Sequence, residues 1–368
     1  MVERLRIGVI GCGLIAQVMH LPHLRELDDR YEIAALCDLS REVLAALGAQ
    51  YGVQRRYTDW RDLVARPDLD AVLVCTPGSH AAPAIAAADA GKHVLVEKPM
   101  SFTLGEADAM VEAAERRDVR LMVAYMKRYD PGYRYARDIV RGLDDVRYVQ
   151  VNVLHPAEPP AVAHHRIVRG SDVDPALVSR LQDESAALVR GAIGEAPAYV
   201  SWNLVEVLLG SVIHDINALG GLFGPPGEVL FTELWDGGQG LTSTFRYGED
   251  VRAVLTWTFL DHLRNYDEEI AVLAEGSRVR IRFPSPYYRN MPTPIVVEGM
   301  EGEANWTKSV VVSYEEAFKQ ELRHFYDCVS EGRRPETDGR VGREDIAVAF
   351  DIYDAYARRI GLPLARRD

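Results

Sequence analysis

The chain of 368 residues is long enough for two globular domains, and at 48% hydrophobic and 26% charged it has the composition of an ordinary soluble protein. Its 55 acidic against 42 basic residues leave a net charge of −13. That balance disfavours nucleic acid and anionic membrane surfaces as partners, because both reward clustered Lys and Arg. Four cysteines, Cys12, Cys37, Cys75 and Cys328, are too few for a disulfide framework and read as buried free thiols of a reducing compartment. No Cys/His cluster has zinc spacing, so no metal is expected. The chain starts almost directly with a strand, and no apolar run approaches ~18 residues. Neither a signal peptide nor a membrane span is therefore expected, and the expected location is the cytoplasm.

Up to residue 124, short apolar strands alternate with helical stretches: 6–10, 33–37, 71–75, 93–96 and 121–124. This is the rhythm of an α/β unit with a doubly wound parallel sheet. The first strand runs into Gly11-Cys-Gly13-Leu14-Ile15-Ala16 and then a helix, the strand-to-helix context that a dinucleotide fingerprint requires. Gly11 suits the tight turn, Gly13 lets backbone approach a pyrophosphate, and Ala16 permits close helix packing. The helix N-terminus would face the phosphates.

The second strand ends in Asp38, 22 residues after Ala16, where a carboxylate can accept both hydroxyls of an adenosine ribose. NAD is favoured on that ground; Arg41, which could pair with a 2′-phosphate, keeps NADP as an alternative. Ligands sit beyond the carboxyl ends of parallel strands, so Thr76, Pro77, Glu97, Lys98 and Pro99 are expected to line one crevice. The candidate cofactor residues are thus Gly11, Gly13, Leu14, Ile15, Asp38, Thr76, Pro77, His80, Glu97 and Lys98.

Beyond residue 125 the rhythm changes. A strand at 147–154 is followed by a Pro- and His-rich loop, a helix near 175–191 and an apolar helix near 205–223. Closely spaced strands then follow at 241–247, 251–259, 268–274, 277–283, 294–298 and 308–314, implying a largely antiparallel sheet. Two amphipathic helices, 315–331 and 343–360, close the chain. The expected division is a Rossmann domain at 1–124 and an α+β domain at 125–368, whose final helices pack back toward the first. A cleft between them is the expected reaction site.

Gly11 to Ala16, Asp70 to His80, Gly91 to Pro99, Met126-Lys-Arg-Tyr-Asp-Pro131, the helix around His214 and the run from Phe318 to Pro335 together resemble the glucose-fructose oxidoreductase and inositol dehydrogenase (Gfo/Idh/MocA) family of NAD(P)-dependent oxidoreductases. The resemblance covers nearly the whole chain. It implies hydride transfer between nicotinamide and a secondary hydroxyl of a sugar, inositol or related polyol. It also implies a homo-dimer or tetramer paired through the open face of a large antiparallel sheet.

Carried over by position, Lys98 would hold the reacting hydroxyl and move its proton, with His214 beside it. Oxidising an alcohol needs such a base within hydrogen-bond reach, and burial would lower the lysine's pKa toward working pH. The sequence departs from the family where an aspartate one turn before the histidine is replaced by Gly210. Glu206, a further turn back, and Asn217 are the candidate substitutes, with Glu206 also readable as an exposed helix-start acid. Arg128 and His155 are candidate substrate contacts, or else solvated side chains at the domain junction. The Gly210 departure also keeps two further readings open: a redox-neutral NAD-dependent lyase or glycoside-cleaving enzyme, and a non-catalytic dinucleotide-binding protein.

Overall fold

A computed structural model describes residues 4–367; the outermost ends of the two expected domains, residues 1–3 and 368, lie outside the described residues. Strands β1 (Leu5–Ile10), β2 (Tyr31–Cys37), β3 (Arg56–Tyr57), β4 (Ala71–Val74), β5 (His93–Glu97) and β6 (Leu121–Ala124) form one parallel sheet in the order β3-β2-β1-β4-β5-β6. Between them lie helices α1 (Leu21–Glu26), α2 (Arg41–Tyr51), α3 (Trp60–Val64), α4 (Ala81–Asp89) and α5 (Leu104–Arg116). The strand order reverses between β1 and β4, and the crevice beyond their carboxyl ends is where such sheets bind ligands. Every residue of β4 is buried, as a central parallel strand covered on both faces must be.

The first helix departs from its expected form. Leu14 and Ile15 open it, Ala16–His20 form a wide π-helical turn, and α1 follows directly with Pro22 in its first turn. Proline has no N–H to offer the preceding carbonyls.

The second half is built on an eight-stranded sheet in the order β14-β13-β12-β11-β7-β10-β9-β8. After α6 (Pro131–Val140) come β7 (Val146–Pro156), α7 (Glu158–Val162), α8 (Pro175–Ile193), α9 (Ala198–Trp202), a π-helical stretch at Asn203–Val212 and α10 (Ile213–Phe223). The remaining strands are β8 (Glu228–Trp235), β9 (Gly240–Tyr247), β10 (Val251–Leu260), β11 (Asp267–Ala274), β12 (Ser277–Phe283), β13 (Ile295–Glu301) and β14 (Ala304–Val310). All neighbours are antiparallel except β7 and β10, which run parallel. Val149, Val151 and Val153 on β7 are fully buried, each stabilising the fold by about 1.5–3 kcal/mol. They belong to one apolar cluster with Leu204, Val207, Leu208 and Val212 of the long helix.

Two sequence expectations are corrected. The last strand lies at Ala304–Val310 rather than 308–314, because Glu301 pairs with Ala304 across a tight turn at Gly302, whose φ is +60°. And residues 198–223 do form one helix long and apolar enough, by length and composition, to cross a membrane; 67% of its apolar window lies buried inside the molecule.

The chain ends with α11 (Ala317–Glu331) and α12 (Gly339–Ile360), the latter starting four residues before the expected position because Asp338 caps it by accepting from the Val341 N–H. The turn before it pairs with the first sheet: Thr337 accepts from the Val123 N–H at 2.8 Å and its hydroxyl donates to the Val123 carbonyl at 2.7 Å. Tyr31 donates to the Leu322 carbonyl on α11 at 2.5 Å.

Candidate active site

Two adjoining features meet at the carboxyl edge of the parallel sheet. The first is a cradle formed by the turn after β1 and the end of β2. Gly11 has φ +86°, and a Cβ there would sit 2.6 Å from the Cys75 backbone, so the turn is open only to glycine. Gly13 is exposed, with open space where a Cβ would point. The Asp38 carboxylate accepts from the Cys12 N–H at 2.9 Å and from the Ser40 N–H at 2.9 Å, which fixes it at the rim of the turn. Leu14 and Ile15 are half-buried against Val18, Met19, Met126 and Phe318. Thr76 and Pro77, after β4, stand at the opposite wall, half-buried and exposed respectively. An exposed glycine turn at a helix start, flanked by a ribose-height carboxylate, fits a dinucleotide.

The second feature is a cavity of about 110 Å³ lined by Lys98, His155, Gly210, Ser211, His214, Tyr266 and Glu268 among others. Lys98 reaches it from the end of β5, where the preceding acid is locked in place. Glu97 accepts from the Lys98 N–H at 3.1 Å and bonds His20 Nε2 at 2.7 Å. Burial opposes the Glu97 charge, but His20 and then Lys98 hold its carboxyl below the usual range. His80 is buried and bonds the Pro99 carbonyl at 2.7 Å, so it braces the strand end rather than facing the cleft.

The Lys98 ammonium donates to the Gly210 carbonyl at 2.6 Å. This carbonyl lies in the π-helical stretch, whose wider turn sits at functional sites more often than elsewhere. Where the family resemblance leads one to expect a carboxylate side chain, a backbone oxygen receives the lysine. Burial lowers the Lys98 pKa, with Glu97 opposing and the Lys127 charge adding to the fall. His214 is held well below the usual histidine range by burial and by the charges of Lys98 and Lys127, so it is a neutral imidazole. Its Nδ1 is shielded and without a hydrogen-bond partner among the described residues.

His155 occupies the end of β7, bonding the Pro156 carbonyl through Nδ1 at 2.8 Å. Its ring lies 5.8 Å from Trp257 and 5.7 Å from Tyr266, and burial lowers its pKa. Nδ1 must donate to the carbonyl in the neutral ring, which leaves Nε2 as an acceptor. Trp257 donates to the Ser211 hydroxyl at 3.0 Å and so orients that group.

The cavity floor is a buried ionic cluster that sequence reasoning missed. Lys127 bonds Asp215 at 3.1 Å and also Glu268, while Tyr266 donates to Glu268 at 2.5 Å. All three charged side chains are nearly sealed from solvent, at 6%, 1% and 1% exposed. Burial and Glu268 push the Asp215 carboxyl far up, whereas Lys127, Asp215 and Tyr266 hold Glu268 down against burial. Of the two carboxyls, Asp215 is thus the one that holds a proton more readily and Glu268 the one that keeps its charge against the Lys127 cation. The available signal was weak: an acid after His214, and a Glu at an inward position at the start of β11.

Arg128, Glu206 and Asn217, expected near the substrate, are placed elsewhere. Arg128 is buried and turned to the Asn217 carbonyl at 3.1 Å and Glu336 at 3.2 Å. Asn217 donates to Asp345 at 2.7 Å. Both are spent on tying the long helix to the C-terminal segment, which corrects the expectation for these two. Glu206 is exposed and does not line the cavity, although its charge is felt at Lys98. The π-helical stretch disrupts the four-residue spacing that would align it with His214. A wider open groove of about 610 Å³ between the start of α5 and α8 offers only Glu184 and Arg366 as charged groups and holds no such cluster.

Residues 5–125 match the model of the oxidoreductase family with an NAD-binding Rossmann fold, GFO_IDH_MocA. The chain is 27% identical over 353 residues to a myo-inositol 2-dehydrogenase of Thermotoga maritima, covering 94% of each sequence. A D-apiose dehydrogenase of Paraburkholderia graminis is 39% identical over 131 residues, 35% of this chain and 34% of that one. Among solved structures, a levoglucosan dehydrogenase in complex with NADH and levoglucosan superposes with a TM-score of 0.75 at 18% identity, covering 97% of this chain and 98% of that one. An aldose-aldose oxidoreductase from Caulobacter crescentus, complexed with glycerol, gives 0.72 at 23% identity, covering 99% of this chain and all (100%) of that one. These two structures share the fold.

Proposed function

We propose that the chain, whose residues 5–125 match the NAD-binding Gfo/Idh/MocA oxidoreductase family, is a member of it and transfers hydride between the nicotinamide and a secondary hydroxyl of a sugar, inositol or related polyol. The observation that carries the reading is the Lys98 ammonium, 2.6 Å from the Gly210 carbonyl in the cavity that also holds His214. The nicotinamide, when bound, supplies the hydride acceptor. Gly11, Gly13, Asp38 and Thr76 would hold its dinucleotide. The protein must hold the alcohol and take its proton as hydride leaves.

Lys98 is suited to the proton because burial lowers its affinity for one, and the Gly210 carbonyl aims one lone pair or N–H away toward the cavity. Neutral His214 gives the hydroxyl a second partner without adding a positive charge. His155 and Ser211 offer an acceptor and a hydroxyl to neighbouring hydroxyls of a polyol. The stacked Trp257 and Phe259 rings lie behind His155 and brace its ring from outside the cavity.

The decisive experiment measures reduced nicotinamide by near-ultraviolet absorbance when the protein meets NAD and a panel of inositols, aldoses and sugar acids, with Lys98→Ala alongside. Reduction that vanishes in the variant supports the reading. Release of a leaving group with no net reduced nicotinamide would overturn it in favour of redox-neutral chemistry, for which the Gly210 departure is the motive.

The same reading includes a cytoplasmic homo-oligomer, a dimer or tetramer formed through the open face of the eight-stranded sheet. Free buried thiols support the compartment. The half-buried Tyr148, Gln150, Asn152, Val254 and Thr256, on the face opposite the sealed valines, support the pairing surface. Light scattering after size exclusion tests it, and a monomer at micromolar concentration would overturn it.

A further inference from the structure

The loop between α7 and α8 crosses the cofactor cradle and is fastened on both sides of it. On the glycine-turn side, Gln17 donates to the Val168 carbonyl at 2.9 Å and accepts from the Val168 N–H at 2.8 Å, while also donating to the Cys12 carbonyl at 2.8 Å. On the ribose side, Gly170 lies so close to Ser40 that a Cβ would overlap its hydroxyl. Two residues on, Asp172 accepts from the Ser40 hydroxyl at 2.5 Å and from the Arg41 N–H at 2.8 Å. Ser171 completes the attachment, its N–H donating to Glu42 at 2.9 Å.

These partners are not arbitrary. Asp38 ends β2 at the height of the adenosine ribose, and a phosphate on the ribose 2′ oxygen would project toward the residues that follow it. Ser40, the Arg41 N–H and the start of the 11-residue helix α2 are the groups able to receive such an anion. In this chain an internal carboxylate already holds them. The Ser40 hydroxyl keeps the Asp172 carboxyl below its usual range, so it stays charged at neutral pH.

The geometry points to Asp172 as the residue that sets cofactor choice: it fills the 2′-phosphate position of the cradle and makes the protein selective for NAD(H) over NADP(H). The inference rests on the proposed dinucleotide site and deepens it. A phosphate would have to displace the carboxylate from its donors and then lie beside it, two like charges in contact. An unphosphorylated ribose needs neither, since its hydroxyls go to Asp38. Arg41, whose side chain would otherwise serve a phosphate, is then left without that role.

The test is the dissociation constant of NADH and of NADPH, read from nicotinamide fluorescence with no substrate present. Wild type, Asp172→Ala, Asp172→Asn and Asp172→Ala with Arg41→Ala are compared. Wild type should prefer NADH by at least tenfold. Asp172→Ala should tighten NADPH at least tenfold while moving NADH less than threefold, and adding Arg41→Ala should remove most of that gain. Asp172→Asn, which keeps the shape and loses the charge, should lie between and decides the matter if the alanine variant fails to fold.

Wild type that binds both equally, an unchanged ratio in the variants, or a gain shared equally by both dinucleotides would overturn the inference and leave the dinucleotide site standing. Wild type that binds neither would overturn the site itself, and the inference with it.

Discussion

Replacing Lys127 by methionine tests the ionic floor of the cavity. The substitution keeps the length of the apolar stem beside the Phe283 ring, which lies 5.0 Å from the ammonium, but removes the one cation between Asp215 and Glu268. Of the two carboxyls Asp215 is pushed up and Glu268 is the one that Lys127 helps to keep charged, so the variant is left with a buried Glu268 that has lost its cation. With Glu268 only 1% exposed, the folded state must protonate it at neutral pH. From an unfolded glutamate pKa of about 4.3, that costs about 3.7 kcal/mol at pH 7, within the range for breaking a buried ion pair.

The pH dependence fixes the cause. Lys127 has its pKa raised in the folded protein, despite burial, by Asp215 and Glu268, so its contribution is complete below the unfolded lysine value and constant between pH 5 and 7. In the variant the folded state binds one proton more than the wild-type folded state over that window, so its stability falls more steeply as pH rises. The deficit against wild type should shrink to about 1 kcal/mol at pH 5. Urea unfolding at the two pH values measures it, with Lys127→Met/Glu268→Gln expected to flatten the difference. A deficit below about 1 kcal/mol at pH 7, or one equal at both pH values, would refute the assigned charges.

Lys98→Met should lower turnover by about 10²- to 10⁴-fold, the worth of a positioned proton acceptor, while the NADH dissociation constant changes little; the alkaline-rising limb of kcat/KM in wild type should lie below the ordinary lysine pKa and disappear in the variant. Gly11→Ala places a Cβ 2.6 Å from the Cys75 backbone at a φ of +86° and should abolish dinucleotide binding or destabilise the fold by more than 1 kcal/mol, readable by nicotinamide fluorescence and thermal unfolding. Asp345 is raised to about 8 by burial, against its bond to Asn217 and the Arg128 charge. The folded state therefore holds its proton where the unfolded state does not, and stability is lost as pH rises from about 4 toward that value. Asp345→Asn should cut the stability difference between pH 5 and pH 7 by about 2.7 kcal/mol, and an unchanged difference would contradict a protonated Asp345.

Much of this protein could be read without coordinates because its informative signals are local. Backbone chemistry places Gly11 in a turn that few other residues can make, and apolar runs such as Ala71–Val74 declare a strand buried on both faces. Asp38, Lys98 and the strand-end residues followed from those two facts, since a parallel sheet puts every strand's carboxyl end on one edge. Helix caps are local in the same way, as where the hydroxyl of Thr103 accepts from the Glu106 N–H at the start of α5. What lay beyond local reading was partner choice across long separations. The bonds of Lys127 to Asp215 and Glu268 span 88 and 141 residues, and that of Asp172 to Ser40 spans 132.

No periodicity encodes such pairs. They exist because the eight-stranded sheet brings the start of β11 alongside the end of β7, and because the loop after α7 folds over the first sheet. The same holds for Arg128 and Asn217, whose residue types suit a sugar pocket but whose neighbours, Glu336 and Asp345, arrive only when α12 packs back. The π-helical stretch was hidden for a different reason: the hydrogen-bond register of an apolar helix is settled by what packs against it and by the Lys98 ammonium on the Gly210 carbonyl. Residue type and spacing thus determined the sheet class, the glycine turn and the place of Lys98 at a strand end, while tertiary packing decided which charged groups face the cavity, because a buried charge goes wherever an opposite one is brought to meet it.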